Sequence, residues 1–166
     1  MKKDRVDTAA AQWRREKPDI DVSAMATVGR LLQAARVIER DYLDPVFGRF
    51  GLQRGEFDVL ASLRRAGAPY ELTPTALYEA LMLSSGAMTN RLDRLERAGL
   101  VERHPDPADR RGTRVRLSAQ GKSMIDTVLE AHLANEAGIL TGLSDADRVQ
   151  LDTLLSKLME GLPKRD

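Results

Sequence analysis

Cysteine is absent from the 166 residues, which excludes disulfides and thiolate-bound metal and makes the cytosol the expected compartment. Histidine occurs only twice, as His104 and His132, and neither stands at a spacing used by a metal centre or a catalytic triad. No glycine loop of the phosphate-cradling kind is present. The expectation is therefore no enzyme, no metal and no cofactor. The N-terminus, MKKDRVDTAAAQWRREKPDID, lacks the apolar core of a signal peptide, and no later apolar run is long enough to cross a bilayer. Internal repeats and low-complexity segments are missing as well. So is a large charge excess: 26 Lys and Arg against 25 Asp and Glu leave a net +1, so any nucleic-acid footprint must be local. The length suits one domain, or a small domain with dimerising extensions, and allows a usable core.

What is present concentrates in residues 83–117, LSSGAMTNRLDRLERAGLVERHPDPADRRGTRVRL. Between Arg91 and Arg116, eight arginines outnumber five acidic residues. The segment reads as a short helix capped by Ser84 or Ser85 and stopped by Gly99 at the C′ position, with Leu100 folding back on its last turn. Two short strands follow, near 101–103 and 113–117, around the loop HPDPADRRG. Upstream, Gly51 and Gly55 bracket a turn before a helix carrying Phe57, Leu60, Ala61 and Leu63. Residues 70–72 read as a short strand, and Thr73-Pro74 opens a helix to about Leu81. Helix, turn, helix and a two-stranded wing make a winged helix-turn-helix in a mainly α protein.

The flanks are helical. Residues 7–17 form a short helix ended by Pro18. A second runs from Ser23, its cap, to about Phe47, with an apolar stripe of Val28, Leu31, Leu32, Ala35, Ile38, Tyr42 and Val46. Ser118 starts a helix to about Gly142. Ser144 and Asp147 form a capping box, staked by Leu143, for a last helix with Leu151, Leu154, Leu155, Leu158 and Leu162 on one stripe. These terminal helices have little to bury against in one chain, which predicts an intertwined homodimer. The expected organisation is 1–50 for N-terminal dimerisation and possible sensing, 51–118 for the winged lobe, and 119–166 for C-terminal dimerisation.

A helical wheel over 84–98 places Met88, Leu92 and Leu95 inward. Gly86, Asn90, Asp93, Arg94 and Arg97 point away, with Ser84, Ser85 and Thr89 at the leading edge. A helix of this size enters the major groove of double-stranded DNA. Its small hydroxyl residues let the backbone approach, Asn90 can pair with adenine, and Arg94 with guanine or a phosphate. In the loop, Asp109 beside Arg110 and Arg111 can fix one guanidinium while the other reaches the minor groove. The predicted DNA-contacting set is Ser84, Ser85, Gly86, Thr89, Asn90, Arg94, Arg110 and Arg111. A winged module that binds protein, or an antirepressor that never touches DNA, is the alternative.

Four further residues invite a ligand. Arg91 lies some 60° from the inward face, where its guanidinium can bind an anion or an enolate oxygen. Asp58 can accept N–H donors from a heterocycle. Trp13 offers an aromatic face to a flat ligand. Arg103 follows the recognition helix. A structural ion pair between Arg91 and Asp58, with Trp13 stapling the extra helix, is the competing account.

The segments GEFDVLASLRRAG (55–67), LTPTALYEALMLSSGAMTNRLDRLERAGLVER (72–103) and DPADRRGTRVRLSAQGK (106–122) resemble the MarR family of bacterial transcriptional regulators. The likeness covers nearly the whole chain from Asp21 onward. It implies a homodimer with two winged-helix lobes on a pseudo-palindromic operator, usually a repressor released by a small ligand. QWRREKPDID, GEFDVL, TNRLDRL and VERH resemble the urate-responsive branch at Trp13, Asp58, Arg91 and Arg103. That likeness implies a small, flat, anionic aromatic effector such as urate, with an indole or phenolic acid as the other candidate.

Overall fold

The computed structural model describes residues 5–82, 84–109 and 111–163. The chain forms two compact units, residues 1–45 and 46–166.

In the first unit, α1 (Arg5–Glu16) packs on α2 (Ser23–Val37). Ala10 and Val22 are buried, and Asp7 pairs with Arg30 at 2.7 Å. Two local expectations need correction. Ser23 is not the cap of α2 but its first residue. The carboxylate of Asp21 accepts both its N–H and its hydroxyl proton, each at 2.8 Å. An anion at this end of a helix also meets the positive end of the helix dipole. Nor does one regular α-helix run from Ser23 to Phe47. A π-helical segment, Ile38–Leu43, interrupts it, and the N–H of Asp44 reaches back to the carbonyl of Glu39. Pro45 is the physical cause: in a regular turn its ring would strike the carbonyl four residues earlier, and the wider turn relieves this. A short helix, α3 (Asp44–Gly48), spans the change of unit.

The second unit contains α4 (Arg54–Arg65), β1 (Glu71–Leu72), α5 (Pro74–Ala80), α6 (Ser85–Arg97), β2 (Val101–Pro105), β3 (Thr113–Leu117), α7 (Ala119–Ile139) and α8 (Asp145–Gly161). The strands form one antiparallel sheet in the order β1-β3-β2. Val101 faces Leu117 and Pro105 faces Thr113 across the hairpin, while Glu71 faces Arg116 on the other side. The predicted winged helix-turn-helix is therefore present, with β1 as the third strand.

Alternation along β3 buries Val115 and Leu117 in the core that Leu60, Leu63, Leu77, Leu92 and Ile125 also fill, all nearly inaccessible. Phe47 and Phe57 stack with ring centroids 4.5 Å apart, and the His132 ring lies 4.8 Å from Phe57. His132 is thus a core-edge residue packed on two aromatic rings. Its Nε2 lies 3.2 Å from Glu136.

Hydroxyl caps appear where the sequence places them. Thr73 accepts the Ala76 N–H at 3.1 Å, Ser118 that of Gly121 at 2.9 Å, and Ser144 that of Asp147 at 3.2 Å. Gly55, expected outside α4, lies in its first turn, beneath the side chain of Arg91. The helix α8 buries no residue, and Leu151, Leu154, Leu155, Leu158 and Leu162 remain exposed, as do Leu129 and Leu133 of α7. On the first unit, Met25, Val28, Leu31 and Leu32 are exposed likewise.

Candidate nucleic-acid interface

The helix α6 is fixed at both ends. At its start Ser84 accepts the Ala87 N–H at 3.3 Å. At its end Gly99 adopts φ of 70°, its N–H meets the Glu96 carbonyl at 2.9 Å, and the Leu100 N–H meets that of Leu95 at 2.9 Å. This is the paired closure that a left-handed C′ glycine permits, and it turns the chain directly into β2. Met88, Leu92 and Leu95 are buried, as the wheel predicts.

The opposite face is open. Ser85, Gly86, Thr89 and Asn90 are exposed. The Thr89 hydroxyl donates to the Ser85 carbonyl at 3.0 Å, which fixes its rotamer and leaves its lone pairs outward. The Asn90 amide has no hydrogen-bond partner among the described residues. A Cβ added at Gly86 would meet no atom within 4 Å, so nothing in the chain's own packing demands glycine there.

Arg94 is placed differently from a free groove-facing cation. Its Nε lies 2.7 Å from the carboxylate of Glu56, whose side chain is 5% exposed against 47% for Arg94. Glu56 also accepts the Gln53 N–H at 2.7 Å, which caps α4. Arg91, one turn earlier, donates weakly to the Gly55 carbonyl at 3.5 Å. The first turn of α4 therefore receives two arginines of α6.

In the wing loop the Asp109 carboxylate accepts the backbone N–H of Arg111 at 2.9 Å and holds no guanidinium among the described residues, while the expected partner Arg110 lies outside them. Asp106 holds a guanidinium. Nearly buried, it accepts from Arg114 Nε at 3.0 Å and from the Ala108 N–H at 2.9 Å. The reason is register: the Asp106 N–H meets the Gly112 carbonyl at 2.9 Å, which turns the Asp106 side chain toward β3 and leaves Asp109 at the tip. Arg111 is exposed. Arg110 lies outside the described residues.

Of the four ligand candidates, Asp58 and Arg91 approach one another. Burial raises the Asp58 pKa above the usual carboxylate value, opposed by the charges of Arg91, Arg54, His132 and Arg65. No hydrogen bond or ion pair joins Asp58 to Arg91, so the direct pair of the competing account is not formed. Arg103 is committed elsewhere: it donates to Glu96 at 2.6 Å and to Asp93 at 2.7 Å, binding β2 to α6. Trp13 lies on α1 of the first unit, about half exposed. Sequence reasoning missed Glu56 and Asp106. For Glu56 the available signal was its place three residues after Gln53 at a helix start.

No described helix is long and apolar enough to cross a membrane. Among the described residues no group of His, Asp or Glu is arranged to hold a metal ion.

Residues 50–112 match a model of the MarR family. The HTH-type transcriptional regulator PecS of Dickeya dadantii is 41% identical over 157 residues, covering 95% of this chain and 94% of PecS. MarR of Escherichia coli, the multiple antibiotic resistance protein, is 32% identical over 133 residues, 80% of this chain and 90% of MarR. The crystal structure of an E. coli MarR mutant complexed with operator DNA is similar to this fold with a TM-score of 0.73 at 27% identity, over 87% of this chain and 100% of that one. A structure of Bordetella bronchiseptica BpsR, whose DNA binding is regulated by 6-hydroxynicotinic acid, gives a TM-score of 0.70 at 25% identity, over 82% and 94% of the two chains. With a capped recognition helix, an arginine-bearing wing and relatives matched along nearly their whole length, the chain belongs to the MarR family and is a winged-helix transcriptional regulator rather than an enzyme.

Proposed function

We propose that the protein is a homodimeric repressor that reads a pseudo-palindromic operator and is released by a small, flat, anionic heteroaromatic molecule such as urate. The observation that carries DNA reading is the open face of α6. Ser85, Thr89 and Asn90 stand exposed and sterically free, beside a wing whose loop carries Arg110 and Arg111. Ser84, Ser85, Gly86, Thr89, Asn90 and Arg94 take the major groove and its phosphates, and the wing arginines take the flanking minor groove. Operator DNA bound to E. coli MarR supports the assignment by likeness. On the second unit the unburied leucines of α7 and α8 supply dimer surface, and on the first unit the exposed apolar residues of α2 are available for the same purpose.

Asp58 supports the effector site. A half-buried carboxylate whose pKa is raised by desolvation, with the Arg91 guanidinium near but not hydrogen-bonded to it, is costly to the fold and suited to accept a heterocycle's N–H groups. Arg91 supplies the countercharge. An anion that also drew Arg103 away from Asp93 and Glu96 would loosen β2 from α6 and disturb the reading head. The effect of 6-hydroxynicotinic acid on BpsR favours a ligand of this chemical class. Trp13, on the first unit, is tested by its own variant. A tenfold loss of DNA affinity requires about 1.4 kcal/mol of coupling.

The test starts with duplexes selected by the purified protein from a randomised library. Binding should fall steeply with salt through counterion release. Arg110→Ala with Arg111→Ala should weaken all sequences alike, whereas Asn90→Ala should flatten preference at one base step. Urate, 6-hydroxynicotinic acid, and indole and phenolic acids are then titrated into the complex, with the wild type compared with Asp58→Asn, Arg91→Ala and Trp13→Ala. Failure to select any duplex sinks DNA reading. Failure of every aromatic anion to shift the complex sinks the effector site.

A further inference from the structure

We infer that Glu56 is a positioning residue for DNA reading: it holds Arg94 in a fixed pose with one edge of the guanidinium free to meet a base. The inference rests on Arg94 touching DNA, as proposed above, and adds a residue of α4 that has no contact with DNA in that proposal.

Glu56 is itself locked. It sits in the first turn of α4, 4% exposed, with one carboxylate oxygen engaged by the Gln53 N–H at 2.7 Å. The other oxygen lies 2.7 Å from Arg94 Nε. Leu52, Leu95, Leu100 and Met124 line the same cleft as this pair, so the attraction is weakly screened on that side. The Arg94 side chain makes no other ion pair, and no hydrogen bond, among the described residues. Nε occupies one side of the planar guanidinium, which leaves the terminal nitrogens for an outside acceptor.

The energetics favour an arginine that stays in place. Removing Arg94 from Glu56 would strand a buried carboxylate without its cation, which is strongly unfavourable. Arg94 therefore meets DNA with Glu56 still attached, and its long side chain is ordered before binding. An unanchored arginine would lose that freedom on the duplex, at a cost equivalent to roughly two- to tenfold in affinity per half-site.

The experiment uses the full-length protein and the duplex it selects from a randomised library, compared with a scrambled duplex. Glu56→Gln retains an oxygen for the Gln53 N–H but removes the charge that holds Arg94. The ratio of selected to scrambled affinity should fall roughly two- to tenfold per half-site, and by no more than Arg94→Ala lowers it. In an Arg94→Ala background, Glu56→Gln should change the ratio no further. A merely structural Glu56 would act additively with Arg94→Ala, and that result overturns the inference. So does an unchanged or higher ratio in Glu56→Gln. NMR of arginine Nε–H groups in the free wild-type protein gives a readout that needs no variant. Arg94 should be ordered beside a mobile Arg111, and equal mobility of the two refutes the anchor. If the wild type selects no duplex at all, the DNA-reading proposal falls and this inference falls with it, whereas a selective wild type with an additive cycle removes the anchor alone.

Discussion

Gly121 offers the sharpest test of the packing that carries the reading head. It is buried in the first turn of α7, and a Cβ built there would lie 1.9 Å from the Leu100 carbonyl oxygen and 2.8 Å from its carbon. Carbon–oxygen contacts normally close to about 3.3 Å, so Gly121→Ala forces α7 and the α6–β2 turn apart by about 1.4 Å. The obstacle is backbone and cannot rotate away. It is also pinned, because the Leu100 carbonyl accepts the Ser118 N–H at 3.1 Å and the Ser118 hydroxyl donates to the Gly99 carbonyl at 2.6 Å. Overpacking of this kind costs up to about 3 kcal/mol, and a weakened Ser118 hydrogen bond adds about 1 kcal/mol. Alanine's better helix propensity returns about 1 kcal/mol. The expected net loss is about 3 kcal/mol, which for a chain of this size lowers Tm by roughly 6–12 °C. Thermal and urea unfolding at one fixed protomer concentration measure it, since association shifts apparent stability. Gly138→Ala is the control on the same helix, where an added Cβ meets nothing within 4 Å; it should be neutral or slightly stabilising. A Gly121→Ala protein that melts with the wild type, or above it, refutes the close approach.

Gly55→Ala should behave in the opposite way. Its Cβ would collide with the end of the flexible Arg91 side chain and not with backbone, so stability should change by less than about 1 kcal/mol while the proposed response to an aromatic anion, followed by DNA release, should be lost. Asp58→Asn should stabilise the protein near neutral pH and lose that advantage in acid. The native pKa of Asp58 is raised, so the folded state binds more protons between the unfolded and folded pKa values, and wild-type stability falls as pH rises through that interval. Urea midpoints for both proteins from pH 3 to pH 7 give the answer, and a constant difference across that range counts against the burial argument.

Local signals were legible in the sequence because they depend on a few neighbouring residues. Thr73, Ser84, Ser118 and Ser144 stand where apolar periodicity restarts, and each caps a helix. Gly99 closes α6 through its own φ. Ser23 misled because Asp21, two residues earlier, is the stronger acceptor and uses the serine as donor. The fates of individual charges were not legible, because they depend on pairing between distant segments. Arg116 meets Glu71 across 45 residues and Arg64 meets Asp126 across 62. Asp106 and Asp109 look alike in the sequence, and only the hairpin register decides which one turns toward β3. Arg94 faces away from Met88 on the wheel, yet lies against α4, because a long side chain bends toward a buried carboxylate that a wheel does not contain.

The bridge from Arg103 to Asp93 and Glu96 has a geometric consequence for operator architecture. The helix α6 and strand β2 are joined by the closed turn at Gly99 and again by this three-residue bridge, so helix and wing form a triangulated frame. Two probes on one frame keep a constant offset, so under the proposed contacts the bases under α6 and the flanking segment under the wing are measured off the duplex together. An operator could thus tolerate a changed base at one contact far better than one inserted base pair between the two. The phasing within a half-site becomes part of what is recognised.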